Sequence, residues 1–168
     1  MKFDIIFKAS RKVCIEIKKY GIFYTNKQYT ILLNGKQYRT SNKLVQTIKG
    51  LKPDTKYTLQ IVNEEGISDV VTFKTEYEFV TLNVKKFGAK GDGVNDDTIF
   101  IQAAINACPK DGRIYIPKGV YRISSLFLKS NITIDIDDEA VLSAFTEREK
   151  FPILPGLIES YDENSEYN

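Results

Sequence analysis

Histidine and tryptophan are both absent from the 168 residues, and there are only two cysteines and one methionine. Without histidine, the chain cannot contain Ser-His-Asp or Cys-His catalysis or a histidine-based zinc site. Acid–base chemistry would fall to carboxylates, lysine, tyrosine or cysteine. Cys14 and Cys108 lie far apart in segments of different character. This predicts neither a disulfide framework nor a zinc site, and we expect no metal and no cofactor.

Long hydrophobic runs are also missing. No apolar stretch approaches the length that a membrane-spanning helix needs, so we expect no membrane partner. The short apolar patch at the amino terminus is interrupted by Asp4 and Lys8, so it does not have the pattern of a signal peptide. As written, the chain is expected in the cytoplasm, or outside the cell if an upstream signal precedes it. The sequence does not determine the oligomeric state.

Charge is present in both signs but is unevenly distributed. Residues 1–75 carry an excess of Lys and Arg, whereas residues 137–168 carry an excess of Asp and Glu. The basic first part could attract a polyanion. Its lysines are scattered along strand-like segments, which is also typical of an ordinary solvated surface. We expect no nucleic-acid partner from this pattern.

Residues 1–78 show the alternation of half-buried β-strands. Val13, Ile15 and Ile17 share one face of a strand. Asn34-Gly35 stands between two β-rich runs and predicts a hairpin, because both residues tolerate positive φ. Six or seven short strands with a turn about every ten residues predict a β-sandwich.

The end of this first part, "LKPDTKYTLQIVNEEG" followed by "VVTFKTE", resembles the end of a fibronectin type III domain. The resemblance implies a tyrosine corner in which the Tyr57 hydroxyl bonds back to the preceding loop. The usual core tryptophan of this family is absent, and Ile15 is expected to take its place. Such a sandwich serves as a packing or spacer module, or alternatively binds a sugar or a partner.

The stretch "FGAKGDGVNDDTIFIQAAINAC", residues 87–108, joins glycines and acids to an apolar segment. Its glycine spacing is not that of a dinucleotide-binding loop. Asp96 and Asp97 are expected to begin a helix over about 97–108 and to accept its free N–H groups. Their charges would repel a phosphate at that helix terminus. A calcium site that also used Asp92 would match no loop template.

The segments "GRIYIPKGVYRIS", "LFLKSNITIDID" and "AVLSAF" are strands too short to stand alone, as is typical of the rungs of a solenoid. An amphipathic helix would cover the open end of such a solenoid. Together, "VKKFGAKGDGVNDDTIFIQAAINAC" and these rungs resemble the amino-terminal end of right-handed parallel β-helix, pectin-lyase-like enzymes. The run "LFLKSNITIDIDDEAVLSAF" resembles glycoside hydrolase family 28, the polygalacturonases, and the tail is most similar to the bacterial exo-acting members.

The expected fold is therefore mainly β. Residues 1–78 form a fibronectin type III-like sandwich, and residues 79–168 form the capping helix and first rungs of a parallel β-helix. The resemblance implies a protein that hydrolyses α-1,4-galacturonan with inversion, with polygalacturonate as the substrate of the full-length enzyme.

Catalytic residues cannot be assigned within this chain. The family's N-T-D, G-H-G and R-I-K motifs are absent, and the two acidic clusters fall at a helix start and in a turn. We therefore expect an amino-terminal piece of a larger hydrolase that is inactive by itself. The alternative is a non-enzymatic carbohydrate-binding or structural β-helix module, such as part of a phage tail or surface protein.

Residues near the carboxyl end are weaker candidates for substrate contacts. Glu159, Tyr161 and Asp162 are candidates for the lining of the cleft of an intact enzyme, although bare acids suit a polyanionic substrate poorly. Arg122 or Arg148 would suit a carboxylate better, but neither matches a family motif.

Overall fold

The computed structural model describes residues 2–18, 23–66 and 68–153. The chain divides into two compact units, Met1–Glu78 and Phe79–Asn168. Strands dominate both units, so the fold is mainly β, as predicted. Within the part of the chain that is described, no helix has the length and apolar character to cross a membrane.

The first unit is a sandwich of two antiparallel sheets. One sheet has the strand order β1-β2-β5 and the other has the order β4-β3-β6-β7, the arrangement of a fibronectin type III-like domain. The strands are β1 Phe3–Lys8, β2 Lys12–Ile17, β3 Tyr24–Leu33, β4 Lys36–Lys43, β5 Val45–Lys49, β6 Lys56–Asn63 and β7 Ser68–Lys74.

The core of the sandwich follows the predicted alternation. Val13, Ile15 and Ile17 of β2 are all buried, and Ile15 is fully enclosed in the core of this tryptophan-free domain. The β3–β4 hairpin turns at Asn34 and Gly35, whose φ angles are 49° and 75°. Both residues thus adopt the left-handed conformation that this turn requires, which confirms the predicted hairpin.

Tyr57 joins the start of β6 to the loop before it. The backbone N–H of Lys52 donates to the Tyr57 hydroxyl at 2.9 Å, which is the hydrogen bond expected of a tyrosine corner. The Tyr57 ring also stacks on Phe73, with 5.8 Å between the ring centroids. The loop between β5 and β6 is therefore tied to the hydrophobic core through one side chain.

Replacement of Tyr57 by phenylalanine keeps the ring and removes the acceptor. We expect the free energy of unfolding of the sandwich to fall by about 1 kcal/mol, the usual contribution of one hydrogen bond. Chemical denaturation followed by circular dichroism measures this change. Tyr24→Phe is a matched control because the Tyr24 side chain is largely exposed. Equal effects of the two substitutions would contradict a specific role for the Tyr57 hydroxyl.

The second unit stacks short strands into two parallel sheets, β8-β10-β12 and β9-β11-β13. Each rung contributes one strand to each sheet, as in a parallel β-helix. The elements are β8 Thr81–Asn83, a 3-10 helix at Val84–Phe87, β9 Asp92–Asp96, α1 Thr98–Ala107, β10 Gly112–Ile116, β11 Gly119–Ile123, β12 Ile132–Ile136, β13 Ala140–Ala144 and a 3-10 helix at Arg148–Lys150.

Helix α1 covers the core of these rungs with its apolar stripe. Ile101, Ala104 and Ile105 are buried in one cluster with interior residues of the strands. The helix is slightly shorter than the predicted span, because Asp97 and Cys108 are its flanking cap residues. The amphipathic helix thus covers the end of the stacked rungs, as predicted.

Residues 92–96 differ from the expectation. The sequence predicted Asp96 at the beginning of the helix, whereas Asp96 is the last residue of β9, which pairs in parallel with β11. A strand forms here despite the polar composition because β11 offers its backbone groups as partners. Pairing with a neighbouring strand therefore overrides the weak local preference for β-structure.

Candidate functional site

Asp97 is the most enclosed polar residue of the segment before α1, with a relative exposure of 0%. Its carboxylate accepts the backbone N–H of Lys90 at 2.6 Å and that of Gly91 at 2.9 Å. Its own N–H donates to the carbonyl of Arg122 on β11 at 2.8 Å. This residue therefore connects the turn at Lys90 and Gly91, which we call the glycine turn, and the start of the helix to the adjacent rung.

The prediction that the Asp97 side chain caps the helix is wrong. Asp97 occupies the N-cap position, and its carbonyl accepts the N–H of Ile101, but its side chain makes no capping hydrogen bond. The glycine turn folds back so that two backbone donors meet this carboxylate. Because the carboxylate of Asp97 accepts these two backbone N–H groups, it stabilises the glycine turn and does not cap the helix.

Asp96 is the acid that accepts from the first turn of the helix. Its carboxylate lies 3.0 Å from the N–H of Thr98 and 2.6 Å from the Thr98 hydroxyl. The hydrogen bond from the Thr98 side chain is the largest of the effects that lower the pKa of Asp96. The Thr98 hydroxyl in turn accepts the N–H of Ser124 at 2.8 Å, which links the helix start to the segment after β11.

Asp92 closes a small turn at the beginning of β9. It accepts the backbone N–H groups of Asn95 and Val94, each at 2.9 Å, and the Asn95 side-chain amide. These hydrogen bonds lower the pKa of Asp92 to about 2. A general acid needs a raised pKa, so neither Asp92 nor Asp96 suits that role near neutral pH. Residues 2–18, 23–66 and 68–153 contain no group of three or more potential metal-ligating side chains.

A second polar cluster lies on the outer face of the β8-β10-β12 sheet. We call it the polar ladder, and it consists of Thr81, Arg113, Tyr115, Asp135 and Asp137. Arg113 donates to Asp135 through Nε at 2.8 Å and through Nη2 at 2.5 Å, and its Nη1 lies 3.3 Å from the Thr81 hydroxyl. The ladder therefore connects all three successive rungs.

The ladder continues through Tyr115. The guanidinium of Arg113 lies 4.7 Å from the centroid of the Tyr115 ring, and the Tyr115 hydroxyl donates to Asp137 at 3.0 Å. The hydrogen bond to Asp137 is also the main cause that raises the pKa of Tyr115. Because the Arg113–Asp135 ion pair and the neighbouring hydrogen bonds join adjacent strands, the ladder fixes the stacking of the rungs and offers polar groups in set positions on an outer surface.

The polar ladder was not predicted from the sequence. Arg113 and Tyr115 alternate with the buried Ile114 and Ile116, so their outward direction was readable from the pattern. Their partners could not be predicted from this pattern, because Asp135 lies on a different strand and is opposite Tyr115 only in the observed register.

The arginines considered for a carboxylate ligand have different surroundings. The guanidinium of Arg122 lies 4.5 Å from the centroid of the Phe145 ring, over which Lys150 Nζ also lies, at 5.3 Å. Arg122 Nε is enclosed and has no hydrogen-bond partner in the described part of the chain. This atom is not open to a ligand, and the side chain packs the segment after β13. Arg148 is exposed on the last 3-10 helix.

The three tail residues predicted to contact substrate, Glu159, Tyr161 and Asp162, lie outside the described residues. The described residues therefore form two polar clusters, the acids before α1 and the polar ladder.

The second unit is similar to a known family of β-helix proteins. Residues 81–137 match the model of the family described as rhamnogalacturonase A/epimerase, pectate lyase-like. With the cap helix and the two parallel sheets, this match makes the second unit similar to the beginning of a pectin-lyase-like β-helix.

The more particular resemblance is to the amino-terminal part of family 28 polygalacturonases, with a fibronectin type III-like domain in front. An exo-poly-alpha-D-galacturonosidase of Dickeya chrysanthemi is 36% identical over 111 residues, which cover 62% of this chain and 18% of that protein. The structure of the Yersinia enterocolitica family 28 exopolygalacturonase matches 90% of this chain and 33% of its own, with a TM-score of 0.62 and 23% identity.

A second, shorter similarity is to a protein that is named for a lyase reaction. Alginate lyase 7 of Azotobacter vinelandii is 52% identical over 62 residues, which cover 31% of this chain and 7% of that protein. The chain thus spans less than a fifth of the length of either of these curated relatives.

Proposed function

We propose that this chain is the amino-terminal part of a pectin-degrading glycoside hydrolase that acts on α-1,4-galacturonan from a chain end and with inversion. The observation that carries the proposal is the extent of the similarity to the exo-galacturonosidase. It covers 62% of the chain, which is more than the second unit contains, so it extends into the sandwich. The family 28 fold, which matches 90% of the chain, gives further support.

The alginate lyase similarity favours the same class of polymer but a different reaction. It has the higher identity, yet it covers only half as much of the chain. A β-helix start that is shared between these proteins carries little information about the chemistry of later rungs. The longer match therefore supports hydrolysis over elimination.

The chain alone is proposed to lack catalysis. An inverting glycosidase places a protonated carboxyl group and a carboxylate on opposite sides of the scissile bond. In this chain, Asp92 and Asp96 have lowered pKa values, and Asp97 is buried against backbone donors. These acids accept hydrogen bonds that organise the cap, which favours a structural role for them.

The test compares the 168-residue chain with the longest product of its reading frame. We expect no release of reducing ends from polygalacturonate by the 168 residues. A longer product that contains the later rungs should release monomeric galacturonate, with the inverted β-anomer appearing first in proton NMR spectra. Sugar release by the pure 168-residue chain would contradict its proposed inactivity.

Two other outcomes would overturn the proposed reaction. An unsaturated uronide that absorbs in the ultraviolet would identify a lyase in place of a hydrolase. A longer product that binds carbohydrate or protein without cleaving any uronide polymer would support the non-enzymatic β-helix module instead.

A further inference from the structure

The tip of the β3–β4 hairpin carries Asn34-Gly35, the only asparagine–glycine pair in the 168 residues. Both residues are exposed, and the cross-strand pair of Leu33 and Lys36 encloses them as a two-residue loop. An asparagine that precedes a glycine is chemically reactive, because glycine has no side chain to shield its backbone nitrogen. The pair is therefore a candidate site of modification as well as a turn.

The reaction of such a pair is deamidation. The backbone nitrogen of Gly35 loses its proton and attacks Cγ of Asn34. A C–N bond forms, and the side-chain nitrogen leaves as ammonia, so the product is a five-membered succinimide ring. Water then adds to one of the two ring carbonyl carbons and leaves either aspartate or isoaspartate at position 34. The reaction consumes only water and requires neither an oxidant nor an enzyme.

The folded turn holds the reacting atoms apart. Asn34 has a φ of 49° and lies in the left-handed region, in which ψ is typically about +47°. The backbone nitrogen of Gly35 is then nearly trans to Cβ of Asn34 about the Cα–C bond. A succinimide ring requires these two atoms to be nearly eclipsed. The ring can therefore form only after the backbone of Asn34 leaves the left-handed region.

Thr58 on β6 holds Asn34 through two further hydrogen bonds. The backbone N–H of Asn34 donates to the Thr58 carbonyl at 2.8 Å, and the backbone N–H of Thr58 donates to Asn34 Oδ1 at 2.8 Å. The first bond fixes the main chain, and the second directs the side-chain carbonyl toward β6. The turn and the bond to Oδ1 therefore both have to open before Cγ is available to the nitrogen of Gly35.

We propose that Asn34 is a site of spontaneous deamidation that the folded hairpin protects, so that the modification marks chains whose hairpin has opened. Protection depends on the left-handed turn and on the two hydrogen bonds to Thr58. The inference goes beyond the proposed function and is independent of it, because it concerns the sandwich alone.

The two products have different effects on the hairpin. Aspartate tolerates the left-handed region, and its carboxylate can accept the N–H of Thr58 as Oδ1 does now. Isoaspartate directs the main chain through the former side chain and adds a methylene group to the backbone. A two-residue loop with an additional backbone atom no longer matches the pairing of Leu33 with Lys36. Isoaspartate therefore prevents an opened hairpin from closing in its original register.

The rate is measured by incubating the 168-residue chain at mildly alkaline pH, folded in buffer and unfolded in denaturant. Mass spectrometry of the digested chain follows the peptide that contains Asn34. We expect deamidation in the folded chain to be at least about 10-fold slower, which corresponds to an opening free energy above about 1.4 kcal/mol. Equal rates in the two states would overturn the proposed protection.

Amide exchange tests whether the hydrogen bond to Thr58 is part of the barrier. The N–H of Thr58 can exchange with solvent only when its bond to Asn34 Oδ1 opens. The folded chain should therefore slow deamidation by at least the factor by which it slows exchange at Thr58. A smaller slowing of deamidation would show that Asn34 reacts while this bond is intact and would contradict the inference.

Asn26 is a matched control within β3. It is also exposed, but it precedes Lys27, whose side chain shields the attacking nitrogen. In the unfolded chain, Asn34 should react severalfold faster than Asn26. Equal loss at both positions would show unspecific amide hydrolysis and overturn the assignment to the asparagine–glycine pair.

The effect of the two products is tested on stability. The variant Asn34→Asp should keep the denaturation midpoint of the unmodified chain, because its carboxylate can accept the N–H of Thr58. The isoaspartate form, produced in denaturant and separated by chromatography, should refold with a lower midpoint. Equal midpoints for the aspartate and isoaspartate forms would contradict the proposed loss of register.

Discussion

Replacement of Asp97 by asparagine is expected to lower the free energy of unfolding of the second unit by about 2–4 kcal/mol. The two side chains have the same shape, but the asparagine amide presents N–H groups where a carboxylate oxygen now accepts a backbone N–H. One of the donors of Lys90 and Gly91 would then lose its acceptor in a site that excludes water. Unfolding in denaturant, followed by amide exchange in β10 and β11, measures the loss for this unit.

Asp96→Asn is the matched control for this experiment. Asp96 is the adjacent acid, it is exposed, and it accepts from the first turn of α1. Asparagine caps a helix about as well as aspartate, so the expected change is below about 0.5 kcal/mol. Similar losses for the two variants would show that charge near the helix terminus matters, and not the enclosed hydrogen bonds of Asp97.

Replacement of Gly91 by alanine is expected to destabilise the second unit by about 2–5 kcal/mol. Gly91 has a φ of +61°, and a Cβ there would lie 2.7 Å from Cζ of Tyr121. The Tyr121 ring is fully buried, and its hydroxyl donates to the carbonyl of Pro117 at 2.7 Å, so the ring has little room to move. The same denaturation and exchange measurements apply.

Gly93→Ala separates the effect of backbone strain from the effect of the steric clash. Gly93 has a similar φ of +76°, but a Cβ there would meet only Val120, at 3.5 Å, an ordinary contact. The variant should therefore show the backbone strain alone, about 1–2 kcal/mol. If Gly91→Ala were no more harmful than Gly93→Ala, the proposed clash with Tyr121 would be contradicted.

Both predictions concern the same structural device. The glycine turn, Asp97 and Tyr121 together close the end of the β-helix under α1. Relatives that are named for a galacturonosidase and for an alginate lyase are both similar to parts of this chain. The open end of any solenoid has to be closed, so this structure is a feature of the fold and carries little information about a reaction.

The contacts within the candidate sites were harder to predict from the sequence than the fold. The acids before α1 were recognised from their position, but the assignment of Asp97 to the helix was wrong because the returning glycine turn competes for its carboxylate. The pairing of Arg113 with Asp135 was missed because it depends on the register of two strands in different rungs.

The sequence by itself determined the local elements. The alternation in β2, the Asn34-Gly35 turn and the apolar stripe of α1 each depend on side-chain periodicity or on backbone preferences within a few residues. Only the tertiary structure decided that residues 92–96 form a strand, that Asp97 holds a turn, and that Arg113 pairs with Asp135. The physical reason is that these features require partners from distant segments, whose hydrogen bonds and register exist only once the strands are paired.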